Sequence, residues 1–503
     1  MINYMKKLFN FCLATFALAI IFSCDNDEIN MPEEPAIIPD AMVYGLTENN
    51  QLVSFNTNNS ATFTSTKPIM GIPSGEKLMS IDFRPATGEL YAVSNASKFY
   101  IINTSTASTR AVSTTSFLPV ISGTVASIDF NPTVDRIRLV TNTGQNLRLH
   151  PETGAIAAVD TNIATTSSIM GVAYTNSVSG AASTILYDLD ATSGKLFKQD
   201  PPNNGTLVEV GSLGITFTGQ AAFDINPDNT LAVMAATTGT QNVLYTVNLT
   251  NGKATNIGNL SQKVIDLAIP TNPVAYAVDN SNALQIFNPN NPQPVTKAIT
   301  GLQFGENILG IDFRPLNGQL YALGSSSRIY TINLGNGAAT AVGSQFPTLL
   351  AGTEFGFDFN PTVDKIRVVS NTGQNLRLDP VTGGITATDG IINPGTPTLG
   401  AAAYTNNFAG ATTTSLFVID HTTDKLYLQN PPNNGTLIEQ GSLGINIDGA
   451  NGFDIGSTSQ KAYLIATTAG TTKIYTVNTT NGSTTSVANY PNAIRGFTIG
   501  LGF

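Results

Sequence analysis

Tryptophan is absent from the chain and histidine occurs only twice, which leaves little material for zinc sites or imidazole acid–base chemistry. Cysteine also occurs only twice, at Cys12 and Cys24. Charge is sparse: 12% of residues are Asp, Glu, Lys or Arg, against roughly 25% in an average globular chain. Thr, Asn, Ser and Gly take the place of those charges. The apolar fraction of 41% is high enough to exclude disorder for most of the chain. With 503 residues, two domains or one large repeat architecture is expected.

The first segment, MINYMKKLFNFCLATFALAIIFSC, has basic Lys6 and Lys7 and then a mostly apolar run from Leu8 to Phe22. That run is too short for a typical membrane span and reads as a secretory signal peptide over 1–23. Ile21, Phe22, Ser23 and Cys24 resemble a bacterial lipobox, although Phe22 is bulkier than usual there. The expectation is acylation of Cys24 and an outer-membrane lipoprotein, periplasmic or exposed at the cell surface. Cys12 falls in the discarded segment, so acylation of Cys24 leaves no free thiol. Residues 24–40 carry six acids, three prolines and no base, the composition of an extended tether. Acids directly after such a cysteine also resemble the surface-export signal of Bacteroidota lipoproteins. Without leader and tether the body has 22 basic and 28 acidic residues. No basic patch stands out, so nucleic-acid binding has nothing to rest on.

Repetition organises the rest. DFNPTVDRIRLVTNTGQNLRL from Asp129 returns as DFNPTVDKIRVVSNTGQNLRL from Asp358, and PPNNGTLVEVGSLGI from Pro201 returns as PPNNGTLIEQGSLGI from Pro431. The body is therefore two copies, 41–271 and 272–503. Inside each copy an apolar-X-apolar triplet recurs, centred on Asp82, Asp129, Ala173, Asp224 and Asp266, then on Asp312, Asp358, Ala403, Asp454 and Gly496. Turns and further short strands follow, as in RPATGELYAV from Arg84 and KFYIIN from Lys98. This period predicts an all-β fold of ten propeller blades. VYGL and LVSF near the start lack an inner strand, and RGFTIGLGF from Arg495 supplies one. Two closures satisfy the pattern. Either each copy closes on itself as a five-bladed ring, which we favour, the segment near Asp266 pairing with the strands near Tyr44 and the segment near Gly496 with those near Tyr276, or the whole body forms one ten-bladed ring.

On these residues, IDFRPATGELYAV from Ile81 and the DFNPTVD block with its second copy, the body resembles the bacterial family of domain of unknown function 4394, in two tandem copies over about residues 42–503. A single copy often stands alone in that family, which implies self-closing rings. The resemblance implies an extracytoplasmic protein and assigns no activity and no catalytic residue.

The most polar repeated constellation is Asp135, Arg138, Asn142, Gln145, Asn146 and Arg148, matched by Asp364, Arg367, Asn371, Gln374, Asn375 and Arg377. Amides beside guanidinium groups suit hydroxyl-rich or carboxylate ligands, so the Arg, Asn and Gln members of both copies are the candidate ligand-binding residues. The competing reading is a turn at NTGQN with the arginines spent on inter-blade contacts. Asp at seven triplet centres would line a channel, where carboxylates could hold a hard cation; the plainer expectation is that each fixes its blade by hydrogen bonds. No D-x-D-x-D-G loop is present, so no metal and no cofactor is assigned. His150 and His421 stand opposite Asp379 and Ala191 in the other copy, and no G-x-S-x-G elbow accompanies them. The sequence thus favours a binding or scaffolding module for a glycan, peptide or surface protein, with a polysaccharide hydrolase or lyase as the alternative.

Overall fold

The computed structural model describes residues 40–449 and 451–503. The leader, Cys24 and nearly all of the acidic tether lie outside the described residues. The described residues form ten four-stranded antiparallel sheets. Each is one blade.

Both copies close on themselves. Val264–Ala268 pairs with Met42–Thr47, placing Tyr44 opposite Ala268 and Leu46 opposite Asp266. Ile494–Ile499 pairs with Ala275–Asp279, placing Tyr276 opposite Thr498. The inner strands Leu78–Phe83, Ala126–Asn131, Ile169–Tyr174, Thr218–Ile225 and Val264–Ala268 touch in that cyclic order and return to the first. Ile308–Arg314, Phe355–Asn360, Leu399–Tyr404, Asn451–Ile455 and Ile494–Ile499 form the second cycle. The fold is two tandem five-bladed propellers, and closure covers the blade faces that an open array would expose.

The sequence forms these blades because burial falls steeply from the channel outward. Inner strands such as LMSIDF are buried throughout, since neighbouring blades cover both faces, and they read as nearly continuous apolar runs. Outer strands alternate, as in ITAT at Ile385–Thr388, where only one face is covered. Between blades a tyrosine meets the phenylalanine after the next inner-strand aspartate: Tyr91 and Phe130 at 5.1 Å, Tyr321 and Phe359 at 5.2 Å, both edge to face. Such contacts add about 0.5–1.5 kcal/mol beyond area burial.

The rings pack through the loops that follow their inner strands. Gly502 N–H donates to the Thr87 carbonyl at 2.7 Å, Tyr276 Oη to the Ala86 carbonyl at 2.8 Å and the buried Arg84 Nη1 to the Gly318 carbonyl at 3.1 Å. Phe503 lies over Gly88, where a β-carbon would stand 2.3 Å from the ring and φ is +75°. Only glycine meets both demands.

Candidate functional site

Carboxylates in the two channels come first, because the fold repeats them. Asp82 accepts N–H from Phe83 at 2.7 Å on one oxygen and from Phe130, in the next blade, at 2.8 Å on the other. Asp224 does the same with Ile225 and Ile269, both at 2.6 Å. Asp312 takes Phe313 and Phe359, and Asp454 takes Ile455 and Ile499. Asp266 closes the first ring by accepting Ile81 N–H at 2.8 Å, while Asp358 accepts Tyr404 N–H at 3.0 Å. Each carboxylate thus clasps one blade to the next, which explains its recurrence as a requirement of the fold. One oxygen each from Asp82, Asp129 and Asp224 lie within 4.8 Å of one another, as do those of Asp312, Asp358 and Asp454. Burial, aided by like charges, pushes Asp82, Asp129, Asp312 and Asp358 well above the usual carboxylate range. Burial raises Asp224 and Asp454 to about 7 and Asp266 to about 8. The channels therefore favour the protonated carboxyl more strongly than water does.

The repeated polar constellation lies on the second blade of each ring and reaches into the third. Arg138, 2% exposed, donates to Asn146 and Asp160 at 2.7 Å, to Asn203 at 2.8 Å and to Tyr174 Oη at 3.3 Å. Arg367 repeats this with Asn375, Asp389, Asn433 and Tyr404. The PPNNG loops are thereby tied in by Asn203 and Asn433. Asn146 and Asn375 donate to loop carbonyls, including those of Pro202 and Pro432. Asn142 and Asn371 accept the N–H groups of Thr124 and Thr353. Gln145 bridges Ser122 N–H and the Val120 carbonyl, and Gln374 bridges Ala351 and Leu349. Asp135 and Asp364 pair instead with Arg84 and Arg314. Arg148 and Arg377 grip Asp160 and Asp389 with two bonds each yet keep 34% and 30% of their side chains open. Burial alone would raise Asp160, but Arg148 and Arg138 outweigh it and hold the carboxyl below its ordinary range. Beside Arg367 and Arg377 lies a pocket of about 230 Å³.

A cleft of about 610 Å³ opens between the rings. Tyr44 and Phe83 of the first ring and Phe408 and Phe503 of the second line it, together with Asn103, Thr104, Thr106 and Thr458. Its charged residues, Glu89 and Arg110, pair with each other. Thr271, 8% exposed, also lines it, and its shielded hydroxyl has no partner. None of the ten candidate ligand-binding residues lines this cleft. Sequence reasoning passed over the cleft because its residues come from separate stretches of both copies that only ring closure and ring packing bring together. His150 is half-buried on the second blade, its imidazole lowered by burial and by Arg136, and it stands apart from the cleft.

The model of a family described as a domain of unknown function (DUF4394) matches residues 51–268 and again 283–498. A second model, a repeat of unknown function (DUF6923), matches residues 192–353 across the ring junction. No curated protein matches the chain. With both self-closing rings covered by the first model, the chain belongs to the DUF4394 family.

Proposed function

We propose that the protein is a non-enzymatic module that binds a neutral glycan in the cleft between its rings, held out from an outer membrane by acyl chains on Cys24 and the acidic tether. The cleft is the observation that carries this reading. Aromatic faces with a rim of hydroxyls and amides suit sugar rings, which present C–H groups on their faces and hydroxyls at their edges. The internal pairing of Glu89 with Arg110 leaves no unpaired basic side chain to select a polyanion.

Hydrolysis of a glycosidic bond needs two carboxyl groups flanking it. Glu89 is the one acidic side chain among the described residues of the cleft, and the aspartates with strongly raised affinity for protons are buried away from it. A glycan array followed by calorimetry tests the reading. Phe408→Ala with Phe503→Ala should weaken binding about tenfold or more, and release of shorter fragments from the ligand would sink it in favour of the hydrolase. Anchoring is tested by Cys24→Ser and membrane fractionation. Stable attachment needs more than one acyl chain, and unchanged retention of the variant would refute the anchor.

A further inference from the structure

At the channel end where the second ring's inner strands begin, four polar side chains gather: Glu354, His421, Asn451 and Arg495. The other ends of these strands run into Ser457–Thr458 and Leu501–Phe503, which line the inter-ring cleft, so the group sits at the opposite mouth. A β-carbon on Gly400 would stand 3.0 Å from the Gly449 carbonyl, 3.1 Å from Asn451 Nδ2 and 3.3 Å from His421 Nδ1. One on Gly449 would stand 3.5 Å from the Glu354 carboxylate. Asn451 Nδ2 donates to the Gly449 carbonyl at 2.8 Å. Arg495 is oriented by its Nη2, which donates to the Asp279 carbonyl at 2.9 Å and to Asn282 at 3.0 Å. Asn451 and Arg495 border a void of about 10 Å³, room for about one hydroxyl-sized group.

Several polar atoms at this mouth are unspent. Asn451 is 2% exposed, yet its Oδ1 has no partner. The shielded Arg495 Nε and His421 Nδ1 have none either. Orphaned buried polar atoms are rare and costly in native proteins and call for an explanation. Burial raises the Glu354 carboxyl while Arg495 opposes that rise, and burial lowers the Arg495 guanidinium against the pull of Asp279 and Glu354.

The first ring shows that the fold does not require this group. Its equivalent positions hold Val125, Ala191, Ala221 and Ile265, and Met170 stands where the second ring has Gly400. Val125, Ala221 and Ile265 are all buried there. Four apolar positions at one mouth have their polar counterparts at the other, and the glycine opens the space between them.

We infer that this mouth of the second ring is a binding site for a neutral, hydroxyl-bearing ligand, a monosaccharide or the end of a sugar chain. The unspent atoms select that class. A sugar hydroxyl can donate to Asn451 Oδ1 or the Glu354 carboxylate and accept from Arg495 Nε–H. An anionic ligand would meet the Glu354 carboxylate and the Asn451 carbonyl oxygen, and a cationic one would meet Arg495. The inference is independent of the cleft reading.

The test is titration of the full chain by ligand-observed NMR with glucose, galactose, mannose and N-acetylglucosamine, against glucuronic acid and glucosamine. At least one neutral sugar should bind saturably. Arg495→Ile and Asn451→Ala install residues that the first ring carries at the same places, so both variants should fold, with melting checked alongside. Each should weaken binding about tenfold or more, the worth of a lost hydrogen bond that leaves a partner unpaired. The loss caused by Arg495→Ile or Asn451→Ala should be the same with and without Phe408→Ala in the cleft. Absence of saturable binding by every neutral sugar, a preference for glucuronic acid or glucosamine, or binding that survives Arg495→Ile and Asn451→Ala but falls with Phe408→Ala would overturn the inference. The last result would leave the cleft reading standing alone.

Discussion

The two rings share blade number, clasp geometry and the buried arginine network, and they differ where the fold leaves freedom. In the first ring Asp266 closes the circle of clasps by accepting Ile81 N–H. In the second, its place is Gly496, where a β-carbon would stand 2.9 Å from the Gly310 backbone. The Thr498 hydroxyl fills the need from a neighbouring position, 2.9 Å from Asp312 and 3.0 Å from Asp454. A fourth buried carboxylate has been exchanged for a neutral donor. What is retained is a hydrogen bond across each blade junction, whichever residue supplies it. At the channel mouth, by contrast, the second ring carries polar groups that no junction uses. Agreement between the copies marks the fold, and unforced difference marks a candidate for function.

The largest effect should come from what the rings share. Arg138→Ala and Arg367→Ala each remove a buried guanidinium that holds an aspartate, two asparagines and a tyrosine. Emptying that buried position and leaving its asparagine and tyrosine partners without the guanidinium should cost about 3–5 kcal/mol in either ring. Denaturant unfolding measures this, and a loss confined to one variant would break the equivalence of the rings.

Much of this architecture was legible because blades are local. Inner strands are buried on both faces, so IDF, FDF and their relatives stand out as apolar runs around Asp82 and Asp358. Ring closure was legible from the unpaired strand near Tyr44 and its complement near Asp266, which the structure pairs. The partners of Arg138 were only half legible. Asn146 lies in the same motif, but Asp160 and Asn203 arrive through blade pairing and a distant loop. The cleft left no sequence signal, since Phe408 and Phe503 gain meaning only when a second ring faces them. The channel-mouth group did leave one. His421 against Ala191 and Arg495 against Ile265 are visible in an alignment of the copies, but a search for shared residues discards them.

A smaller effect should separate the rings by pH. Asp188 is fully buried, neither of its oxygens has a partner, and burial pushes it to about 8 against a mild pull from Arg138. Its second-ring counterpart is Val418. Asp188 and Asp266 near 8 and Asp224 near 7 all stand above the unfolded value of about 3.9. The native first ring therefore binds more protons than its unfolded chain between those limits. The stability these three carboxyls contribute is complete below about pH 4 and is lost as pH rises through 7 and 8. Asp188→Val should stabilise the protein by about 1–3 kcal/mol above pH 8 and flatten the pH profile of its melting. Destabilisation at that pH would mean that the ionised carboxylate has a partner.

The smallest effect concerns Arg148 and Arg377, the open members of the shared network. Each makes two hydrogen bonds to an aspartate that the buried arginine also holds. Removing either therefore leaves Asp160 or Asp389 still paired. The lost bonds are charge-assisted but about a third exposed, so solvent replaces much of what is removed. Arg148→Ala and Arg377→Ala should each cost about 1 kcal/mol or less, well below the loss from Arg138→Ala. Because their guanidinium groups face solvent, these two are the constellation members best placed to touch a ligand, and Arg377 also borders a pocket. If the constellation takes part in binding, Arg377→Ala should weaken the interaction with an array-identified glycan while melting stays within a few degrees. A loss of stability as large as that of Arg367→Ala would instead make the outer arginine an equal support of the blade junction and remove it from consideration as a binding residue.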